Sequence, residues 1–209
     1  MLLTSSTAAF SKNEIAPNPD AAKLIAAQAK KEYAQGALPA AERNYHEALL
    51  LDPNNVDYLN HLASIETRLS RPQEAERLLR HSLQEQLENP AAWLLLGMNY
   101  LEAHQNEKAF AALVQATLYD PKNARAQHYL GIAADRQHWN DIAEAALRKA
   151  IELDPNYADA HFNLAVYYLH LTPPPLELAR RHYQRAVDLG ATHDPKIDAV
   201  MNQPVDKKN

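Results

Sequence analysis

The strongest constraint in this sequence is a recurring Asp-Pro. Asp120-Pro121 and Asp154-Pro155 stand 34 residues apart, and Asp52-Pro53 lies twice that interval before Asp120-Pro121. Counting in units of 34, units begin at Ala22, Val56, Pro90, Ala124 and Ala158. A unit of this length accommodates two amphipathic helices and a turn. Such a pair cannot bury both of its apolar faces alone, so it needs neighbours built the same way. The period therefore directs the chain towards a stack of helix pairs in which each unit touches only the next.

The composition agrees. Only four of the 209 residues are glycine, which argues against a β-rich fold with many tight turns, and the good helix formers Ala, Leu, Glu, Gln and Arg dominate. An apolar fraction of 46% against 22% charged residues is enough for a sizeable core. There is no cysteine, which excludes disulfides, thiolate metal sites and a cysteine nucleophile. That absence suits a reducing cytoplasm and an oxidising periplasm alike, with the cytoplasm favoured. A formal net charge of −5 and a pI near 6.0 argue against nucleic acid as a partner. No apolar run is long enough to span a membrane. The opening MLLTSSTAAFSK lacks the basic start and long apolar run of a signal peptide.

The clearest unit is PAAWLLLGMNYLEAHQNEKAFAALVQATLYDP, Pro90 to Pro121. It carries Trp93, Leu96, Gly97 and Tyr100 at helical spacing, then Ala109, Leu113 and Ala116, and it closes on Pro121. In this spacing the chain resembles the tetratricopeptide repeat family over about residues 21–191. The family pattern asks for a large residue at unit position 4, Leu at 7, Gly or Ala at 8 and Tyr at 11, then Ala at 20, a large apolar residue at 24, Ala at 27 and Pro at 32. The third unit matches it throughout. The first has Ile25, Ala29, Gly36, Ala41, Tyr45, Ala48 and Pro53 but departs at Gln28 and Glu32. The second has Leu59, Leu62, Ala63, Ala75 and Leu79 but departs at Ser82 and Leu87. The fourth has Leu130, Gly131, Ala143, Leu147, Ala150 and Pro155. The fifth has Leu164, Ala165 and Tyr168, then two extra residues in its turn before Tyr183 and Ala186. The resemblance implies an all-α, right-handed superhelical solenoid of five helix–turn–helix pairs.

Small residues at positions 8, 20 and 27 mark where paired helices cross closely, and the large ones fill the space beside them. Asn55, Asn89 and Asn123 are placed to cap the helices that follow them. Residues 1–20, with Pro17 and Pro19, read as a flexible N-terminal tail. Leu87, where proline is expected, suggests that the second helix of unit two runs longer, with Pro90 in the first turn of the next. Pro173, Pro174 and Pro175 read as a stiff, lengthened turn. This turn followed by ELARRHYQRAVDLG resembles a bacterial subset of the family. Arg180, Arg181 and Arg185 read as a solvated basic face. Ile197, Val200 and Met201 mark a short capping helix within residues 192–209, which end in the polar, frayed DKKN.

The resemblance also implies where a partner binds: the concave face lined by first helices, at unit positions 2, 5, 6, 9, 12 and 13. The first two units place polar groups there, among them Tyr33, Asn60 and Arg68. The later units place Leu94, Met98, Leu101, Ile132, Phe162, Val166 and Leu169, rimmed by Arg68, Glu102, Asp135 and Arg136, with His128 beside them as a source of pH dependence. An apolar stripe with a charged rim suits an amphipathic helix or a short apolar peptide. The two-carboxylate clamp of chaperone-type relatives does not match in any register. None of the ten histidines falls in an H-x-x-x-H or H-E-x-x-H arrangement, and apart from His128 near the groove they are expected to be scattered over turns and outer helix faces, so neither a metal nor another cofactor is expected. No catalytic residue set is recognisable. The expected function is a non-enzymatic scaffold or adaptor for a protein or peptide partner. The alternative is a homo-oligomer in which a terminal segment of one copy enters the groove of another.

Overall fold

Each unit folds as two helices because its apolar residues recur at helical spacing and its ends carry stop signals. In the computed structural model, which describes residues 16–201, five pairs follow one another: α1 (Pro19–Ala34) with α2 (Leu38–Leu51), α3 (Val56–Arg68) with α4 (Pro72–Glu85), α5 (Pro90–Glu102) with α6 (Asn106–Tyr119), α7 (Ala124–Asp135) with α8 (Asn140–Leu153), and α9 (Ala158–His170) with α10 (Leu176–Asp188). A short α11 (Pro195–Met201) closes the series. Each helix packs on the one before it, which makes an all-helical solenoid. Residues 1–15 of the expected tail, and the polar end from residue 202, lie outside the described residues.

Asparagines start the first helices. The side-chain oxygens of Asn55, Asn89 and Asn123 accept from the amides of Tyr58, Ala92 and Ala126 at 3.3, 3.2 and 3.0 Å. Asn18 does the same for Ala21 at 3.1 Å, with Pro19 in the first turn, and its own amide donates to the Leu51 carbonyl at 3.0 Å. The reading of residues 1–20 as a tail is therefore corrected at Asn18–Asp20, which begin α1. The recurring aspartates close the second helices and steady the caps: Asp52 and Asp120 accept from the amides of Asn55 and Asn123 at 2.8 and 3.2 Å.

Unit two lacks Asp-Pro, and the expectation of a longer helix there is overturned. α4 spans 14 residues, as α2, α6 and α8 do. The Leu87 carbonyl instead accepts from the Trp93 indole at 2.7 Å, and Pro90 begins α5. Stacking dictates where the chain must turn back, and local sequence supplies whatever partner is at hand.

Inside each pair the crossing is made by residues with almost no side chain. Ala41, Ala75, Ala109, Ala143 and Ala179 are fully buried, as are Ala48, Ser82, Ala116, Ala150 and Ala186 seven residues further on. A Cβ built on Gly97 would lie 2.5 Å from Leu113 Cγ, and one on Gly131 2.6 Å from Leu147 Cγ. The turn between the paired helices also keeps one geometry in the first four units. Gly36, Ser70, His104 and His138 occupy unit position 15 with φ of 77, 59, 56 and 58°. The next residue then donates back to the helix, as in Ala37 to Glu32, Arg71 to Glu66, Gln105 to Tyr100 and Trp139 to Ala134. Glycine takes this left-handed conformation freely, whereas the other three residues are strained.

Two junctions between units repeat one polar device. The Tyr100 hydroxyl donates to Glu76 at 2.8 Å while Arg80 contacts both, and Tyr168, Glu144 and Arg148 repeat the arrangement. At the first junction the equivalent positions hold Glu66, Glu42 and His46. There Arg71 supplies the cation, 2.7 Å from Glu42 and 3.2 Å from the buried Glu66.

At the far end, Ile197 and Met201 of α11 are buried against the last pair. The Tyr183 hydroxyl donates to Asp198 at 2.7 Å, and Arg180 donates to the Met201 carbonyl at 2.8 Å. Arg180 thus holds the cap in place, and Arg185 donates to Asn156 at 2.8 Å. This corrects the reading of a solvated basic face at Arg180, while Arg181 and Arg185 are exposed as expected.

Gly97→Val is expected to destabilise the fold by about 1–3 kcal/mol through overpacking, while Ala91→Val on the exposed side of the same helix stays near neutral, both measured by urea denaturation. Gly36→Ala should cost about 1 kcal/mol from its left-handed backbone alone, in the same assay.

Candidate functional site

The five first helices form one layer. α3 touches α5, α5 touches α7 and α7 touches α9, so each helix spends part of its surface on its neighbours. Depth on this layer follows unit position. Position 5 is the seam: Ala26, Asn60, Leu94 and His128 are all buried, and Phe162 is half-buried. Positions 6 and 9 face outward, where Leu95, Tyr129 and Asn163, with Met98, Ile132 and Val166, are half-buried. Positions 2 and 13 form the exposed edges, including Arg125, Arg68, Glu102 and Arg136.

Several expected binding residues are therefore reassigned. Asn60, Leu94, Leu101 and His128 are 7%, 7%, 4% and 3% exposed and belong to the packing between units. Leu101 also carries the carbonyl that Arg136 engages at 2.8 Å. Met98, Ile132, Phe162, Val166 and Leu169 keep part of their surface open. Leu95 and Tyr129 join them, although apolar periodicity did not single them out. Positions 5 and 6 are about 100° apart on a helix, and which of them meets the neighbour depends on how the units rotate against each other.

Polar contacts cross the seam. The hydroxyls of Tyr33 and Ser64 are 3.1 Å apart, and His170 Nδ1 is 3.3 Å from Asp135. The Asn163 amide donates to His128 Nε2 at 2.7 Å, so the His128 proton sits on Nδ1 and is donated to the Tyr157 hydroxyl at 3.0 Å. Burial lowers the His128 pKa to about 4 and raises that of Tyr157 to about 12. His161 and His182, expected on outer faces, meet with their Nδ1 atoms 3.0 Å apart. His161 is buried, and burial followed by the neighbouring His161 pushes His182 down to about 4. Histidines 21 positions apart carry no spacing signal, and stacking alone brings them together.

Two arginines of the face lie over tyrosine rings. The Arg68 guanidinium lies 5.0 Å from the Tyr33 ring centroid, and that of Arg125 lies 5.6 Å from the Tyr129 ring centroid. Burial pushes the Tyr33 phenol up, but the hydrogen bonds from Ser64 and Arg68 and the charges of Arg68 and Arg125 outweigh it and hold the group below its ordinary value. A hollow of about 470 Å³ is lined by Lys23, Lys30, Tyr45, Asp57, Tyr58 and His61 among others.

Models of the tetratricopeptide repeat match residues 26–90, 67–131, 124–157 and 146–188. No curated protein matches the sequence. Among solved structures, MamA from Desulfovibrio magneticus RS-1 superimposes with a TM-score of 0.69 at 21% identity, covering 88% of this chain and 98% of that one. PilF of Pseudomonas aeruginosa gives 0.75 at 19% identity, covering 83% and 78%. YrrB, described as a tetratricopeptide repeat protein with an unusual peptide-binding site, gives 0.63 at 22% identity, covering 81% and 86%. At these identities the likeness is one of fold.

A histidine whose folded pKa is depressed favours the folded state above its unfolded value and loses that contribution as pH falls. Between the ordinary 6.5 and the folded value of about 4, the unfolded chain takes up the proton that buried His128 refuses. Lowering the pH from 7 to 5 should remove about 2 kcal/mol through this residue. His128→Gln should show a correspondingly shallower acid loss in denaturation curves recorded at both pH values.

Proposed function

Because this chain belongs to the tetratricopeptide repeat family, whose models cover it from residue 26 to residue 188, we propose that it is a non-enzymatic adaptor that holds a peptide or amphipathic helix of a partner protein on its layer of first helices. The observation that carries this reading is the set of half-buried apolar side chains at positions 6 and 9 of neighbouring helices: Leu95 and Met98 on α5, Tyr129 and Ile132 on α7, and Val166 on α9. The solenoid's own packing leaves part of each uncovered. Phe162 and Leu169 extend the set on α9. Met98 adds an unbranched, polarizable side chain that adapts to an imperfect fit. The description of YrrB supplies a precedent for peptide binding on a fold of this kind.

The charged positions suit orientation better than affinity. Asp135 and Arg136 are already engaged, with His170 and the Leu101 carbonyl, and they stiffen one edge of the face. Arg68 lies on that same position-13 edge, and Arg125 lies on the opposite, position-2 edge.

Met98→Glu with Ile132→Glu places two carboxylates in the apolar set while sparing the fully buried core. The double variant should keep its helical circular dichroism and its Tm within a few degrees of wild type, and lose the partners that wild type captures from native lysate, read by mass spectrometry. Capture of the same proteins by the folded double variant would sink the proposal.

A further inference from the structure

The first junction between units differs from its equivalents in charge. At unit positions 11, 21 and 25, the second junction places Tyr100, Glu76 and Arg80, and the fourth places Tyr168, Glu144 and Arg148. In both, the arginine pairs with the glutamate four residues before it at 2.9 Å, and the tyrosine carries no charge. The first junction holds Glu66, Glu42 and His46 in the same register. A carboxylate replaces the phenol and an imidazole replaces the guanidinium, so this place gains a negative charge and loses a positive one. Glu66 is only 1% exposed, and a buried charge is tolerated where it is paired or bound to a metal.

Arg71 makes up for one of the two charges. It reaches in from the turn before α4, and its Nη1 bridges Glu42 at 2.7 Å and Glu66 at 3.2 Å. A cation therefore already sits between the two carboxylates. Among the described residues it is the sole cation paired with either of them. Its side chain is 52% exposed, so water competes for much of its charge. The donor atoms of Glu42, His46 and Glu66 lie within 4.8 Å of one another. Glu42 and His46 stand four residues apart on α2 and share a face of it, while Glu66 comes to them from α3. No histidine pair announces this set in the sequence, because the second group on α2 is a glutamate and the third is brought over by stacking.

We propose that Glu42, His46 and Glu66 form a site for a divalent metal ion of the zinc class, which takes the place of the Arg71 guanidinium and ties α2 to α3. One imidazole and two carboxylates suit Zn²⁺, whereas Mg²⁺ and Ca²⁺ prefer oxygen ligands alone and more of them. Zn²⁺ holds such ligands at about 2.0–2.2 Å, so small rotations of the exposed His46 and the half-buried Glu42 close the set on a shared ion. The double charge of the ion neutralises both carboxylates, which Arg71 alone does not. Displaced, Arg71 turns into solvent, where an exposed guanidinium loses little. Water completes the coordination from the surface side, where His46 lies.

The test is titration of the chelator-stripped protein with Zn²⁺ by isothermal calorimetry, with Tm recorded at each concentration. Wild type should show saturable binding and a Tm that rises with free Zn²⁺, and Mg²⁺ should not replace it. His46→Arg gives this junction the residue of its two equivalents, so it should keep the fold and lose the binding. Glu42→Gln should lose it as well. Arg71→Gln removes the competing cation and should bind Zn²⁺ on the order of tenfold more tightly than wild type. Stripped of metal, that variant should melt lower than wild type, because the buried Glu66 is left unpaired, and Zn²⁺ should restore its Tm. Binding that persists unchanged in His46→Arg belongs to other histidines and overturns the proposal. So do an absence of saturable binding by wild type, equal binding of Mg²⁺, and weaker binding by Arg71→Gln. If Arg71→Gln does not fold without metal, the comparison of wild type with His46→Arg decides alone.

Discussion

The close approach of paired helices is what the rest of this structure depends on. Ala75 and Ser82 of α4, and Ala109 and Ala116 of α6, are fully buried, so these helices come up to their neighbours with very little side chain between. Gly97 and Gly131 tighten the same contact until Leu113 and Leu147 fill the space that a Cβ would need. Only at this distance do the large residues beside the crossing interlock, since dispersion forces fall away steeply with separation. The left-handed residue at position 15 follows from it. Two helices so close can be joined by three or four residues only if the chain reverses sharply, and Ser70, His104 and His138 adopt that backbone although none is glycine. Tertiary packing outweighs a local cost of about 1–2 kcal/mol at each turn.

Between units the logic changes from small residues to mixed contacts, and here the repeats are not equivalent. Two junctions use the same tyrosine, glutamate and arginine, while the first replaces tyrosine by the buried Glu66 and draws in Arg71 from a turn. The third is apolar, with Phe110 packed edge-on against Trp139 at 4.6 Å. A one-dimensional stack tolerates such variation because each interface is solved locally. The same independence lets one face carry different chemistry along its length, polar over α1 and α3 and apolar over α5 to α9.

Most of the fold was legible in the chain. The spacing of Asp-Pro set the period, the small residues at positions 8, 20 and 27 set the crossings, and Asn55, Asn89 and Asn123 marked helix starts that the structure places as expected. The errors were local. Leu87 does not lengthen α4, and Asn18 caps a helix inside the stretch read as a tail. Both follow from contacts made across the stack, to Trp93 in one case and to Leu51 in the other.

The face was legible only in outline. Sequence determined which residues lie on the first helices, because a 34-residue repeat of two helices leaves little freedom in that assignment. It also determined that polar groups precede apolar ones along the layer. Which of two adjacent positions looks outward was decided by the rotation of each unit on the next, a quantity with no periodic signature. That rotation buries Leu94 and Leu101 while exposing part of Leu95 and Tyr129, and pairs His161 with His182. The chain specified the helices and their order, and the superhelical stacking of those helices selected the side chains that a partner meets.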